Sequence, residues 1–139
     1  MRLITLLIIH CSAVMPYQTS SVEQINDWHL NGRGWKNGIG YHYVIRRDGS
    51  IEKGRDEGMI GAHCLNHNRH SLGICYEGGL DANGKPADTR TPEQKESMLN
   101  LLTELKRKYP NAIIVGHNTL SNKDCPCFDA VKEYQHLQP

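Results

Sequence analysis

Eight histidines and five cysteines are spread over the 139 residues, and three of them stand where a fold can gather them. His10 directly follows the apolar run Leu3–Ile9, and His117 comes two residues after Val115, the end of a second apolar run. Side chains at the carboxyl ends of strands in α/β folds project into the crevice where ligands bind. Cys125 lies eight residues beyond His117 and can swing back to meet it. Two neutral imidazoles and one thiolate make a borderline-soft set of three ligands with the fourth position open, the pattern of a catalytic rather than a structural zinc. Such a site keeps net positive charge and can polarise both a water and an amide carbonyl. Spacing alone does not decide it, because so many histidines and cysteines supply other triples. Taken singly, His10 also reads as a hydrogen-bonded strand-end residue and Cys125, before Pro126, as a buried thiol.

These side chains need a scaffold, and the apolar pattern describes one. Leu3–Ile9 has no alternation, which suits a central strand covered on both faces. Ser20 or Ser21 caps a helix, with Glu23 or Gln24 completing a capping box and Val22, Ile25 and Trp28 along one face; Gly32 or Gly34 ends it. Tyr41–Arg46, the Asp48-Gly49 turn and Ser50–Lys53 form a β-hairpin. The stretch 54–71 is loop, Leu72–Tyr76 a strand, and 81–90 a surface loop. Thr91-Pro92-Glu93-Gln94 opens a helix with Met98, Leu101, Leu102 and Leu105 on one face, ending near Pro110. Ala112–Val115 is a further strand, 116–126 a loop, and Phe128–Leu137 a last helix with Val131, Tyr134 and Leu137 in register. The class is α/β: a single domain over residues 1–139, with a mixed central β-sheet of about five strands flanked by about three helices.

Composition excludes several functions. Sixteen basic against fifteen acidic residues leave a net charge of +1, which removes the simplest argument for a nucleic-acid or membrane-surface partner. No stretch approaches the ~20 apolar residues of a spanning helix. Met1-Arg2 and the run behind it have the outline of a short signal peptide, but no Ala-x-Ala-like cleavage site follows. Synthesis in the cytoplasm without an export signal, and action as a monomer, are the expectations. The odd number and irregular spacing of the cysteines support no disulfide framework. Cys11 and Cys75 read as buried small hydrophobes, and Cys127 as an ordinary thiol.

Five segments together carry a resemblance over nearly the whole chain: His10-Cys11-Ser12-Ala13; Gly40-Tyr41-His42-Tyr43-Val44-Ile45-Arg46-Arg47-Asp48-Gly49; Gly54-Arg55; Gly61-Ala62-His63; and Gly116-His117 with Lys123-Asp124-Cys125-Pro126-Cys127-Phe128-Asp129. In order and spacing they resemble the phage-lysozyme-type zinc N-acetylmuramoyl-L-alanine amidases, a family that includes the peptidoglycan recognition proteins. The resemblance implies that His10, His117 and Cys125 hold Zn2+, and that Tyr41 and Lys123 are the essential residues that do not bind metal. It implies a peptidoglycan or muropeptide substrate, cut between N-acetylmuramic acid and L-alanine. Lys123 would then stabilise the oxyanion, and Tyr41 would orient the water or relay its proton. Read alone, Tyr41 is a half-buried strand aromatic and Lys123 a solvated loop charge. Arg55 and His63 lie on segments that flank the family's substrate groove and become candidate substrate contacts. His42, His67 and His70 read as structural. One of Trp28 and Trp35 is a candidate for the groove wall, with Trp28 fitting the helix core better. Cys127 departs from the serine of the phage members. The alternatives are a peptidoglycan-binding module without catalysis and a zinc-bearing regulatory protein; intact Cys125, Tyr41 and Lys123 argue against the first.

Overall fold

The computed structural model describes residues 2–32 and 38–139. A five-stranded mixed sheet has the order β3-β2-β4-β1-β5, formed by β1 (Leu6–Cys11), β2 (Tyr43–Ile45), β3 (Ile51–Lys53), β4 (Ser71–Tyr76) and β5 (Ile113–Gly116). β1 runs parallel to β4 on one side and to β5 on the other. β2 is parallel to β4, and the short hairpin partner β3 is antiparallel at the edge. β1 therefore has neighbours on both sides and layers on both faces, which accounts for its unbroken apolar run. It begins later than that run: Leu3 is 79% exposed, and pairing with β4 continues through His10↔Cys75 and Cys11↔Tyr76. His10 thus lies inside the strand rather than just after it.

Side chains alternate across the sheet, and the two faces differ in kind. On one face Leu7, Ile9, Tyr43, Ile45, Leu72, Ile74, Tyr76 and Ile114 join a continuous apolar core. It is closed by α2 (Pro92–Lys108), whose Met98, Leu102 and Leu105 are buried. The Thr91/Gln94 capping box is present with Pro92 in the first turn, as the sequence predicts. On the other face the same strands offer Ile8 and His10, Val44, and Ser71, Gly73 and Cys75, in two small apolar clusters separated by polar groups.

That second face is covered by α1 (Val22–Asp27), capped by the Ser21/Gln24 box, and by a π-helical turn over Trp28–Gly32. Ile25 and His29, four residues apart, share the inward stripe and are buried, leaving Trp28 on its edge at 42% exposed rather than in the core. The alternative helix end at Gly34, and Trp35, lie outside the described residues. The segment expected to be loop after Gly116 opens instead with one helical turn, α3 (His117–Leu120). Thr119 Oγ1 accepts the Gly116 N–H at 3.1 Å and closes that turn. The last helix is shorter than predicted, α4 (Ala130–Glu133) followed by a 3-10 turn over Gln135–Leu137. Tyr134 is buried and Leu137 packs half-buried against the core, while Val131 is 37% exposed, so the apolar register holds at Tyr134 and Leu137 but not at Val131. Among the described residues there are thus four α-helices, against about three expected. The Gln138 side chain beyond them lies along β5, accepting from Ile114 N at 2.9 Å and donating to Ile114 O at 2.8 Å.

Candidate metal centre and active-site cavity

Strand β1 presents His10 on the polar face, the first turn of α3 presents His117, and the loop behind it returns Cys125. One ligand atom from each of the three lies within 4.8 Å of the others. Among the described residues no other group of histidine, cysteine and carboxylate side chains converges in this way. The returning loop is tied down at several points. Tyr76 Oη donates to Pro126 O at 2.7 Å and Asn118 Nδ2 to Phe128 O at 3.3 Å. A side chain at Gly116 would meet Pro126 Cδ at 2.8 Å, so only glycine lets strand and loop approach this closely.

The chemistry of the donors suits a metal. Burial, reinforced by the neighbouring rings of His63 and His117, holds the His10 imidazole well below its ordinary range, and burial and Lys123 lower His117. Both rings are therefore neutral at pH 7, with lone pairs to give. Cys125 Sγ accepts the Cys11 N–H at 3.0 Å and lies 3.9 Å from His10 Nδ1. The two neighbouring thiols are held protonated. Hydrogen bonding with Cys125 and then burial push Cys11 up, and burial foremost pushes Cys127 up to about 12. Cys127 Sγ donates to Gly79 O at 3.3 Å. Cys125 is the one sulfur of the three that converges with the two neutral imidazoles, and together they make a donor set that fits zinc.

The three converge in a cavity of about 650 Å³ that is also lined by Tyr41, Lys123, His29 and His63. The Tyr41 ring centroid lies 5.1 Å from that of His10 and 5.8 Å from that of His29. Its backbone is held where a side chain at Gly54 would meet Tyr41 O at 2.3 Å, and one at Gly40 would meet Ala62 O at 2.0 Å. The glycines of the Gly40-Tyr41 and Gly54-Arg55 segments thus allow the close packing that aims this ring. Lys123 stands two residues before Cys125 on the same loop, near enough to His117 for its charge to lower that imidazole.

The structure brings His10, His117, Cys125, Tyr41, Lys123 and His63 to one cavity, but not Arg55. The Arg55 guanidinium donates to Ile39 O at 2.9 Å and Ile60 O at 2.6 Å, bracing two chain segments. His42 is fully buried, Nδ1 accepting from Gly73 N at 3.0 Å and Nε2 donating to Met59 O at 2.8 Å, as a structural residue should. The rings of His67 and His70 pair edge to face at 5.6 Å. His29 is the cavity residue that sequence reading missed. Its Nδ1 accepts the Gly40 N–H at 2.9 Å, and its place four residues after Ile25 was the available signal.

Comparison with known proteins agrees with this geometry. The family model for N-acetylmuramoyl-L-alanine amidase matches residues 1–128. The chain is 42% identical over 121 residues to the endolysin of Escherichia phage T7, covering 87% of this chain and 79% of that one. Among solved structures, the N-acetylmuramoyl-L-alanine amidase LysC from Clostridium intestinale URNW superposes with a TM-score of 0.78 at 29% identity, over 96% of this chain and 83% of that one. Drosophila PGRP-LB gives 0.78 at 28% identity, over 96% and 80%.

Proposed function

This chain belongs to the N-acetylmuramoyl-L-alanine amidase family and hydrolyses the amide between N-acetylmuramic acid and L-alanine of peptidoglycan; we propose that it does so with a water activated by zinc held on His10, His117 and Cys125. The observation that carries the proposal is the convergence of those three donors in the cavity that Tyr41 and Lys123 also line. Zinc there would supply Lewis acidity, polarising the lactyl carbonyl and acidifying a water.

The remaining work falls to side chains of the protein. His10 and His117, kept neutral by burial, present lone pairs without a proton having to leave first. Lys123 brings a fixed positive charge to the oxygen that becomes negative when the carbonyl is attacked. Tyr41, whose ring lies 5.1 Å from that of His10, orients the water or passes a proton toward the departing amine.

The place of action is the bacterial cell wall. Synthesis in the cytoplasm and delivery by a separate route are part of the proposal; the apolar run Leu3–Ile9 overlaps β1, the strand carrying His10, so loss of that run would dismantle the site. Mass spectrometry of defined muropeptides after incubation with the zinc-loaded protein tests the reading. Free stem peptide and intact N-acetylmuramic acid are expected with zinc, and none after exhaustive chelation. Equal cleavage with and without metal would sink the zinc proposal.

A further inference from the structure

His63 lies over β4 in a cradle built to fit it. A side chain at Gly73 would meet the His63 ring at Cγ 2.6 Å and Nδ1 2.8 Å, and one at Gly61 would meet Cδ2 at 2.7 Å. The backbone N–H groups of His63 and Cys64 both donate to Asn68 Oδ1, at 2.9 and 3.0 Å. Two glycines and one asparagine thus fix both the height and the direction of the ring.

What the ring does follows from counting its nitrogens. A neutral imidazole has one N–H and one lone pair. His63 Nδ1 lies 2.9 Å from His10 Nε2, and His63 Nε2 lies 3.3 Å from Ser71 Oγ. His10 turns its other nitrogen, Nδ1, toward Cys125 Sγ. If Nδ1 is the atom given to the metal, Nε2 carries the proton and donates to His63 Nδ1. His63 must then carry its own proton on Nε2, directed at Ser71 Oγ. One order of protons satisfies the whole chain, and it leaves neither His63 nitrogen for a substrate.

Resting on the zinc reading above, we propose that His63 is a positioning residue for the metal ligand: the Ser71–His63 pair fixes the tautomer and ring plane of His10 so that its Nδ1 lone pair points at the metal. Acceptors behind ligating histidines act in this way, holding the ring and raising its basicity, and their loss typically costs ~10–100-fold in metal affinity. This role takes the place of the substrate contact expected from the position of His63 beside the groove.

The test is zinc affinity of the full chain, measured by competition with a chromophoric chelator, together with the visible spectrum of the cobalt(II)-loaded protein and the KM for a muropeptide. His63→Asn places an amide oxygen where Nδ1 was, and His63→Gln places its amide at the Nε2 position, toward Ser71. Asparagine is expected to hold zinc close to wild type with an unchanged cobalt spectrum. Glutamine, of similar volume and able to keep the cradle filled, is expected to bind ~10–100-fold more weakly with shifted bands. Equal zinc affinity in the two variants and wild type, with a raised KM, would overturn the inference and restore the substrate contact. A wild-type protein that binds no zinc would fail at the earlier step and bring down the metal reading itself.

Discussion

The two faces of the sheet are made from the same strands one residue out of step, and they have opposite characters. Leu7 and Ile9 face α2 inside a continuous apolar core, while Ile8 and His10 between and beyond them take the other face, Ile8 in a small cluster with Cys64 and Val115 and His10 at the cavity. In β4, Leu72, Ile74 and Tyr76 point into the core, while Ser71 and Gly73 lie against the His63 ring and Cys75 packs with Ile25, Ile39 and Val44. The first face gains stability by excluding water. The second gives up part of that gain to seat imidazoles and thiols, replacing bulk with glycine where a ring must fit. Stability and chemistry are thereby separated by the pleat of a strand rather than by distance along the chain.

Perturbing one face without the other tests that separation. The largest effect is expected for Cys125→Ser, which should abolish stoichiometric zinc by metal analysis and muropeptide cleavage with it, while apo-protein circular dichroism stays native. Full zinc content in this variant would remove Cys125 from the ligand set. Next come Tyr41→Phe and Lys123→Ala, expected to keep zinc and thermal stability but lose ~10²–10⁴ and ~10²–10³ in kcat respectively. A variant that cleaves within about threefold of wild type, under ~1 kcal/mol of barrier, would lose its catalytic assignment.

On the opposite face, Leu102→Ala should cost about 2–5 kcal/mol in denaturant unfolding of the apo protein and leave kcat nearly unchanged once folded. A large fall in kcat of the folded variant would show that the faces are coupled.

The smallest effects separate the faces by pH. Burial above all lowers His42 on the polar face, so its contribution to apo stability is complete above the ordinary imidazole value of 6.5 and declines as pH falls from there through the depressed one. On the core face, hydrogen bonds from Arg90 above all lower Glu133; burial works against ionisation of Asp88, but the hydrogen bonds and charge of Arg90 together leave it lowered as well. That contribution is present above the ordinary carboxylate range and is lost only as pH falls below ~4. Melting temperature against pH should therefore flatten below ~6.5 in His42→Gln, and only at the acid end in Glu133→Gln. Profiles parallel to wild type would contradict the assignments.

Legibility in the sequence follows the same division. The core face was plain because apolar periodicity and a Thr91 capping box are local signals, and α2 came out where they place it. The meeting of His10, His117 and Cys125 was legible through five segments matched together; spacing alone left it one choice among many. Less was visible where the deciding partner is far along the chain. The end of β1 depends on its pairing with Tyr76. The turn at His117–Leu120 has no apolar period to announce it. The bond between His10 and His63 spans 53 residues and exists only because glycines at 61 and 73 make room. Arg55 sits on a groove segment yet spends its guanidinium on carbonyls, which no motif reveals.

The amide of Gln138 has a consequence for how copies of the protein meet. A strand at a sheet margin displays unpaired N–H and C=O groups that can template another chain. At β5 the Gln138 side chain offers one acceptor and one donor to the main chain of Ile114, imitating a neighbouring strand for the length of one residue. The other margin is managed differently: β3 is three residues long and ends in exposed Lys53. An enzyme whose substrate is an insoluble polymer works crowded on a surface, where margin-to-margin pairing is most readily started. A single glutamine holds the N–H and C=O of Ile114 on the longer margin, so those two groups are closed to another molecule.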